Sequence, residues 1–344
     1  MKIKDIAQEA KVSATTVSNV LNGNYAKVSV ATAEKIQEII EKYNYVPKAS
    51  ARNLAAKSTR IIGVILPGIL YNNNPHNALL VSAIEKLIRS QGYYMLLSCA
   101  DTMENAITTL TMWDVDGAIM TGYVEEDMAS VLKGGQRDFP VMLIDSYIME
   151  EYPGCMCVRV NDYKGGYIAG RYLLAAGHKN LMFAGAPYRT SGVVHQRYRG
   201  FCDALGEQGI VLTEDAVVEC DTTYEGGIQA GKAISDLNFD CSPQNRVTAV
   251  FASSDITATG IIEGAGLCGM RVPKDLSVVG FDNINFSACT TPKLTTISQD
   301  IGKKAERAAA LLIEAIRSGR PCTDLTIIEP ELVERQSVWR VGEY

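Results

Sequence analysis

Apolar positions change their period along this chain of 344 residues. Near the start, Ile3, Ile6, Ala7 and Ala10 fall at i, i+3, i+4 and i+7, the spacing of one buried helix face. Lys11 and Val12 make a tight break, and Ser13 is placed to cap a second helix running to about Leu21. Val17, Val20 and Leu21 form that helix's apolar stripe, while Ala14, Thr15, Ser18, Asn19 and Asn22 form its other face. A third helix, capped by Ser29, is predicted from about Val30 to Tyr43, with Ile36, Ile39, Ile40 and Tyr43 inward.

From Arg60 the pattern becomes apolar runs alternating with helix-period segments. RIIGVILP, YYMLLS, DGAIM and PVMLI read as buried strands, and NLMFAGA, AVFAS and LSVVGFD continue the series after Cys157. Helices are expected near Ala78–Gln91, Glu104–Met112, Glu126–Lys133, Lys164–Ala176, Gln196–Gln208, Gly226–Asp236 and Ile256–Leu267. Such alternation predicts an α/β body of doubly wound parallel sheets with helices on both faces. Two such halves leave a cleft between them, with ligands at the carboxyl ends of the strands. The fold class is therefore an all-α headpiece followed by a body of two parallel-sheet subdomains.

Charge sharpens the first part. The whole chain is −6, but residues 1–60 hold ten Lys/Arg against five Asp/Glu, a net of +5, which leaves −11 for the rest. A basic head on an acidic body suits one end meeting a polyanion. Two short helices joined by a tight turn form a helix-turn-helix, whose second helix enters the major groove of DNA. The small polar face of that helix fits this, because Asn bonds base edges bidentately.

Other chemistry is sparse. The nine cysteines form no C-x-x-C pair, and His76, His178 and His195 lack ligand spacing, so neither metal nor cofactor is expected. Gly264, Gly266 and Gly269 match the letters of a dinucleotide fingerprint, but they end a helix instead of opening one, and Gly269 reads as its C-terminal cap. No catalytic constellation is found, so an enzyme is not expected. No run of 18 apolar residues or secretory leader is read, which predicts a cytoplasmic chain with no membrane partner.

KIKDIAQEAKVSATTVSNVLNG and EKYNYVPKASARNLAAKST resemble the headpiece and hinge of the LacI/GalR family. GRYLLAAGHKNLMFAG, RYRGFCDAL, SSDITATG, RVPKDLSVVGFDN and PKLTTISQDIGKKAERAAALLIEAI extend the resemblance over most of the chain, to a periplasmic-binding-protein-like body. The resemblance implies a homodimeric repressor, with a tetramer left open, that grips a pseudopalindromic double-stranded operator under the control of a small polar, sugar-like effector. Control by a protein corepressor is the alternative, and a solute-binding protein the third reading. The implied domains are residues 1–47 as headpiece, 48–59 as hinge and 60–344 as body. The body's first subdomain spans about 60–160 and 290–325, and its second about 161–289 and 326–344.

Site residues follow from the same resemblance. Ala14, Thr15 and Asn19 match base-reading positions, and Ser13, Thr16, Ser18 and Asn22 lie with them, the last three at phosphate-facing places. Ala51 and Leu54 match the hinge helix, with Leu54 as the wedge into a minor-groove base step. Lys11 stands where the family has Gly, at a turn that calls for positive φ. In the body, Arg197 matches an arginine that binds effector hydroxyls or carboxylate, and Asp255 an aspartate that accepts from the effector. Asp255 also reads as a helix cap, and Asp282 as either a pocket residue or a loop cap. Thr222, with Tyr224 nearby, and either His76 or Asn77 occupy places where relatives carry aromatic rings, while Asn161-Asp162 inverts the usual pair and Gly68 replaces an Asp.

Overall fold

The computed structural model describes residues 2–21, 23–45, 58–68, 74–100, 102–122, 139–147, 155–187, 192–320 and 322–342. The chain divides into two units, Met1–Arg60 and Ile61–Tyr344.

The first unit contains α1 (Ile3–Ala10), α2 (Ala14–Leu21) and α3 (Val30–Lys42). Ile6, Ala7, Ala10, Val17, Val20, Ala33, Ile36 and Ile39 close its core, as the helical periods require. Lys11 adopts φ 58° and ψ 44° at the break. Its N–H donates to Gln8 O at 3.2 Å and that of Val12 to Ala7 O at 2.9 Å, the bond pattern of a Schellman cap. The caps are as expected: Ser13 Oγ accepts from Thr16 N–H at 3.1 Å, and Ser29 Oγ from Thr32 N–H at 3.3 Å. Tyr43 departs from its predicted inward place and is 45% exposed. Helix α3 stops at Lys42, Asn44 turns to φ 45°, and Tyr45 packs against the core instead.

The second unit holds two six-stranded sheets. The first contains β1 (Ile61–Pro67), β2 (Tyr94–Ala100), β3 (Gly117–Thr121), β4 (Val141–Ile144), β5 (Cys155–Val160) and β11 (Asp324–Ile328). They are parallel, in the order β11-β5-β4-β3-β1-β2. The second contains β6 (Leu181–Gly185), β7 (Val217–Glu219), β8 (Ala249–Ala252), β9 (Ser277–Asp282), β10 (Thr295–Ser298) and β12 (Glu331–Val333). Its order is β12-β10-β9-β8-β6-β7, with β12 antiparallel to β10. The helices are α4 (Pro75–Ser90), α5 (Met103–Met112), α6 (Asp162–Ala175), α7 (Val193–Gly206), α8 (Tyr224–Asp240), α9 (Asp255–Leu267) and α10 (Ile301–Ser318). The helix expected at Glu126–Lys133 lies outside the described residues.

Strands β1, β3, β4, β6, β8 and β9 are buried runs, as parallel strands covered on both faces must be. Strand β2 is not, because it ends the sheet: Tyr94 and Leu97 are exposed. The chain leaves the first sheet after Val160, returns between Ser298 and Ile301, and leaves again between Ile328 and Glu331. The second and third crossovers thus lie later than the expected 290 and 325. Strand β10 completes the second sheet before the chain crosses, and β11 completes the first. Gly269 adopts φ 84°, and Met270 N–H donates to Ala265 O at 3.0 Å, so the glycine-rich decoy is a helix end.

Candidate functional site

Six polar residues from both halves of the second unit, five of them buried and Asp145 half-buried, meet where β4, β9 and the crossovers end. Helix α7 carries Arg197 one turn from its start, and the glycines of α6 bring the two backbones together. Arg197 Nε donates to Asp162 Oδ1 at 2.8 Å, and Nη1 donates to the carbonyl of Ser253 at 2.6 Å. Nη1 also stands 3.9 Å from Asp282 Oδ1, and the guanidinium lies 3.7 Å above the centre of the Phe281 ring. Tyr147 OH donates to the other oxygen of Asp162 at 2.8 Å.

The second arm comes from the first half. Lys304 lies in the first turn of α10 and is completely buried. Its ammonium donates to Asp145 Oδ1 and Oδ2 at 2.8 and 2.7 Å, and to Gln299 Oε1 at 2.6 Å. Gln299 Nε2 in turn donates to Asp282 Oδ1. A continuous line of bonds therefore runs Asp145–Lys304–Gln299–Asp282, with Arg197 and Asp162 beyond it. Asp145 at φ 55° and Asp282 at φ 127° end their strands in backbone that L residues seldom adopt, a mark of a constrained site.

Burial and charge set the protonation states. Burial pushes the Asp162 carboxyl up even though Arg197 beside it pulls the other way. For Asp145 burial also pushes up, but the charge and hydrogen bond of Lys304 together with the fields of His76 and Arg197 outweigh it, and the carboxyl ends below its ordinary value. Burial, then the neighbouring Lys304, lowers the His76 imidazole and keeps it neutral. His76 is 6% exposed, and its Nδ1 faces Asn77 Oδ1 at 3.4 Å. Among the described residues, its Nε2 has no hydrogen-bond partner, and neither does Ser253 Oγ.

The predicted effector residues divide. Arg197, Asp282 and His76 come together; His76 feels the charges of both. Asp255 stands behind the site. It is fully buried, its Oδ2 accepts from Ile284 N–H at 3.0 Å, and its Oδ1 accepts from Thr296 Oγ1. Burial and then Asp282 push its carboxyl well above the ordinary range, and the cap of α9 is Ser254, not Asp255. Thr222 and Tyr224 are half-buried at the start of α8, and among the described contacts neither reaches Arg197. Lys304, Asp145, Asp162 and Gln299 were missed. The period of α10 held a signal, since Lys304 falls on the buried stripe of Ala305, Ala308, Leu312 and Ala315.

On α2, Ala14 and Thr15 are exposed, and Ser18 and Asn19 half-exposed, on the face away from Val17 and Val20. The Ser13 hydroxyl is spent on capping and on the Thr16 hydroxyl, 2.9 Å away. Asn22, Ala51 and Leu54 lie outside the described residues. Among the described residues, no group of three or more His, Cys, Asp or Glu could hold a metal ion, and no helix is long and apolar enough to cross a membrane.

Comparison with known proteins connects the two units. Residues 2–48 match the family described as bacterial regulatory proteins, lacI family, and residues 171–338 match the periplasmic binding protein-like domain. The chain is 33% identical over 345 residues to the HTH-type transcriptional repressor PurR of Mannheimia succiniciproducens, covering 99% of each. It is similar to the lac repressor dimer bound to operator and an anti-inducer, with a TM-score of 0.84 at 25% identity over 98% of this chain and 99% of that one. A LacI family regulator of Enterococcus faecium with bound ribose aligns at a TM-score of 0.68 and 28% identity, covering 82% of this chain and all of that one.

Proposed function

Because the chain belongs to the LacI family of bacterial regulatory proteins, we propose that it is a transcriptional repressor whose grip on DNA is set by a small molecule in the cleft of its second unit. Two copies pair, and each lays α2 into the major groove of one half-site, since one short recognition helix covers only half an operator. Ala14, Thr15 and Asn19 read bases. Thr16, Ser18 and Asn22 face phosphates. Ala51 and Leu54 belong to the hinge, with Leu54 wedged into the minor groove, where unstacking is offset by the contacts that bent DNA allows. The protein works in the cytoplasm beside the chromosome and acts by binding, with no catalytic step.

One observation carries the control by a small molecule. The Asp162–Arg197–Asp282 cluster of the second half is joined through Gln299 to Lys304 and Asp145 of the first, and among the described residues the buried His76 Nε2 near it has no partner. Such convergent polar groups at a cleft between domains are what a polar ligand needs. A ligand that bonds to both halves favours the closed arrangement over the open one, and by linkage changes operator affinity.

The test uses full-length protein and an operator selected from random DNA, followed by fluorescence anisotropy. The expected result is a two-half-site footprint and an operator affinity that shifts when ribose, sucrose, cellobiose or a nucleoside is added. Asp282→Asn keeps the footprint and loses the shift. A single protected half-site would count against the paired arrangement, and an unaltered response in Asp282→Asn against the cleft.

A further inference from the structure

Three crossovers join the halves of the second unit: after Val160, between Ser298 and Ile301, and between Ile328 and Glu331. The joint is not close-packed. A cavity of about 490 Å³ lies against the second and third crossovers, with Leu79 and Ala83 of α4, Asn283, Ile301 and Ile328 among its walls. The backbone there is also constrained. Asp145, Asp282, Asn283 and Asp300 have φ of 55°, 127°, 56° and 48°. They stand at the ends of β4 and β9 and at the second crossover. L residues keep such angles only where surrounding bonds fix them, and a few such positions can absorb the change when two domains swing.

Side chains tie this joint from both halves. Tyr147 follows β4 in the first half, and its OH donates to Asp162 Oδ2 at 2.8 Å, across the first crossover. Asp162 opens α6 in the second half. The Arg159 guanidinium lies over the Tyr147 ring, 4.1 Å from its centre, and holds the ring in place. At the second crossover, Gln299 Oε1 accepts from Lys304 of the first half at 2.6 Å, and Gln299 Nε2 donates to Asp282 of the second. Tyr147 and Gln299 carry no charge themselves. Either can be changed without stranding a buried ion, because Asp162 keeps Arg197 and Lys304 keeps Asp145.

We propose that Tyr147 and Gln299 are the two straps of an internal latch, which holds the halves together from within and so sets how far an effector can shift them. This rests on the reading of the cleft as the effector site. Where the binding-competent arrangement is only partly populated, apparent affinity falls by that fraction. Cutting a strap lowers the population. The effector then binds more weakly, yet has a larger shift left to make. A residue that only touches the effector changes the midpoint and leaves the full shift alone. Tyr147 and Gln299 are thus positioning residues for the response.

Full-length wild type, Tyr147→Phe and Gln299→Leu are compared in two measurements. In the first, with no compound added, amide exchange over residues 160–165, 298–304 and 328–332 is about three- to tenfold faster in each variant, the weight of one hydrogen bond, while β1 and β8 are unchanged. Unchanged exchange at the crossovers overturns the latch. Exchange that rises equally in β1 and β8 reports general loosening and overturns it too. In the second, ribose, sucrose, cellobiose and adenosine are titrated against the operator complex. For a compound that acts on the wild type, each variant raises the midpoint about three- to tenfold and enlarges the full change in operator affinity. A raised midpoint with the same full change means direct contact with the compound and overturns the proposal. If none of the four acts on the wild type, that counts against the cleft reading, and amide exchange alone decides the latch.

Discussion

Arg197 and Asp162 form an ion pair whose members cannot be removed one at a time. Both are buried, and among the described residues the Asp162 carboxylate takes its hydrogen bonds from Arg197 and the Tyr147 hydroxyl. Arg197→Ala should cost about 3–5 kcal/mol of stability, because it strands a buried carboxylate. Arg197→Met combined with Asp162→Leu should cost clearly less than the two single changes added together, and urea unfolding of all three variants checks this. A loss of effector response in Arg197→Ala would therefore be ambiguous, which makes Arg197→Lys and Asp282→Asn the cleaner probes of binding. Lys11 is a second residue with an exact expectation. It sits at φ 58° in the Schellman turn between α1 and α2, where an L side chain costs roughly 1 kcal/mol. Lys11→Gly should leave the headpiece as stable or up to about 1 kcal/mol more stable, after the extra freedom glycine gains in the unfolded chain is deducted. Amide exchange of α1 and α2 in the full chain reads this; faster exchange in the variant would show that the turn does not strain lysine. The sequence made this turn legible, since a tight break between two helices needs a positive φ whatever residue fills it. It did not make Lys304 legible as a site residue, because a buried lysine has meaning only when the acceptor opposite it, Asp145, is known to be there.

Helices α6 and α7 touch backbone to backbone, and this element pair holds Arg197 in place. A Cβ on Gly166 would lie 1.9 Å from Arg197 O, and one on Gly200 would lie 1.9 Å from Tyr163 O. Gly200→Ala should destabilise the protein by about 2–3 kcal/mol or more, since rigid backbone cannot yield as a side chain would. Gly166→Ala should also shift Arg197 and weaken the effector response in whatever fraction remains folded; urea unfolding and effector titration separate the two effects. His178 ties a different element. Its Nε2 meets Trp339 O at 3.0 Å and its Nδ1 meets Thr248 Oγ1 at 3.0 Å, and Val341 N–H donates to Ala176 O. This clips the C-terminal segment to the second sheet. Burial lowers the His178 pKa below its ordinary 6.5. The neutral form is thus the native one, and its stabilising effect is full above that value and lost as pH falls below it. Each such histidine steepens the fall by up to about 1.4 kcal/mol per pH unit. Stability measured from pH 7.5 to 5 should decline, and His178→Gln should flatten the slope; an unchanged slope would show that His178 does not titrate with unfolding. Elements with a strong period were legible, from α1 to α9 and the buried strands β1, β3, β4, β6, β8 and β9. The crossing strands β5, β10, β11 and β12 were not. They are three to six residues long, mixed in polarity, and become strands only by pairing with partners far away in the chain.

At the scale of the whole molecule, charge is split between two tasks. The first 60 residues carry +5 and the remaining 284 carry −11. At 0.1 M salt the screening length is about 10 Å, so an acidic body farther than that from a phosphate hardly opposes the basic head. The total of −6 therefore says little about DNA. Operator affinity should follow counterion release from the heads, and between 50 and 200 mM salt two heads making about six to ten phosphate contacts lose about 1,000-fold or more in affinity. The cleft should behave in the opposite way. Its ion pairs are internal and buried, and a sugar-like effector of the kind proposed brings no counterions to release, so effector affinity should stay within about twofold over the same range. Measuring both affinities on one preparation across a salt series tests the division. A steep salt dependence of effector binding would mean that charge enters or leaves the cleft with the ligand. A flat operator curve would mean that the basic head does not meet the phosphates. With the expected pair of slopes, salt moves the operator end of the molecule alone, and any change it makes in the response to effector reports the coupling between the cleft and the head.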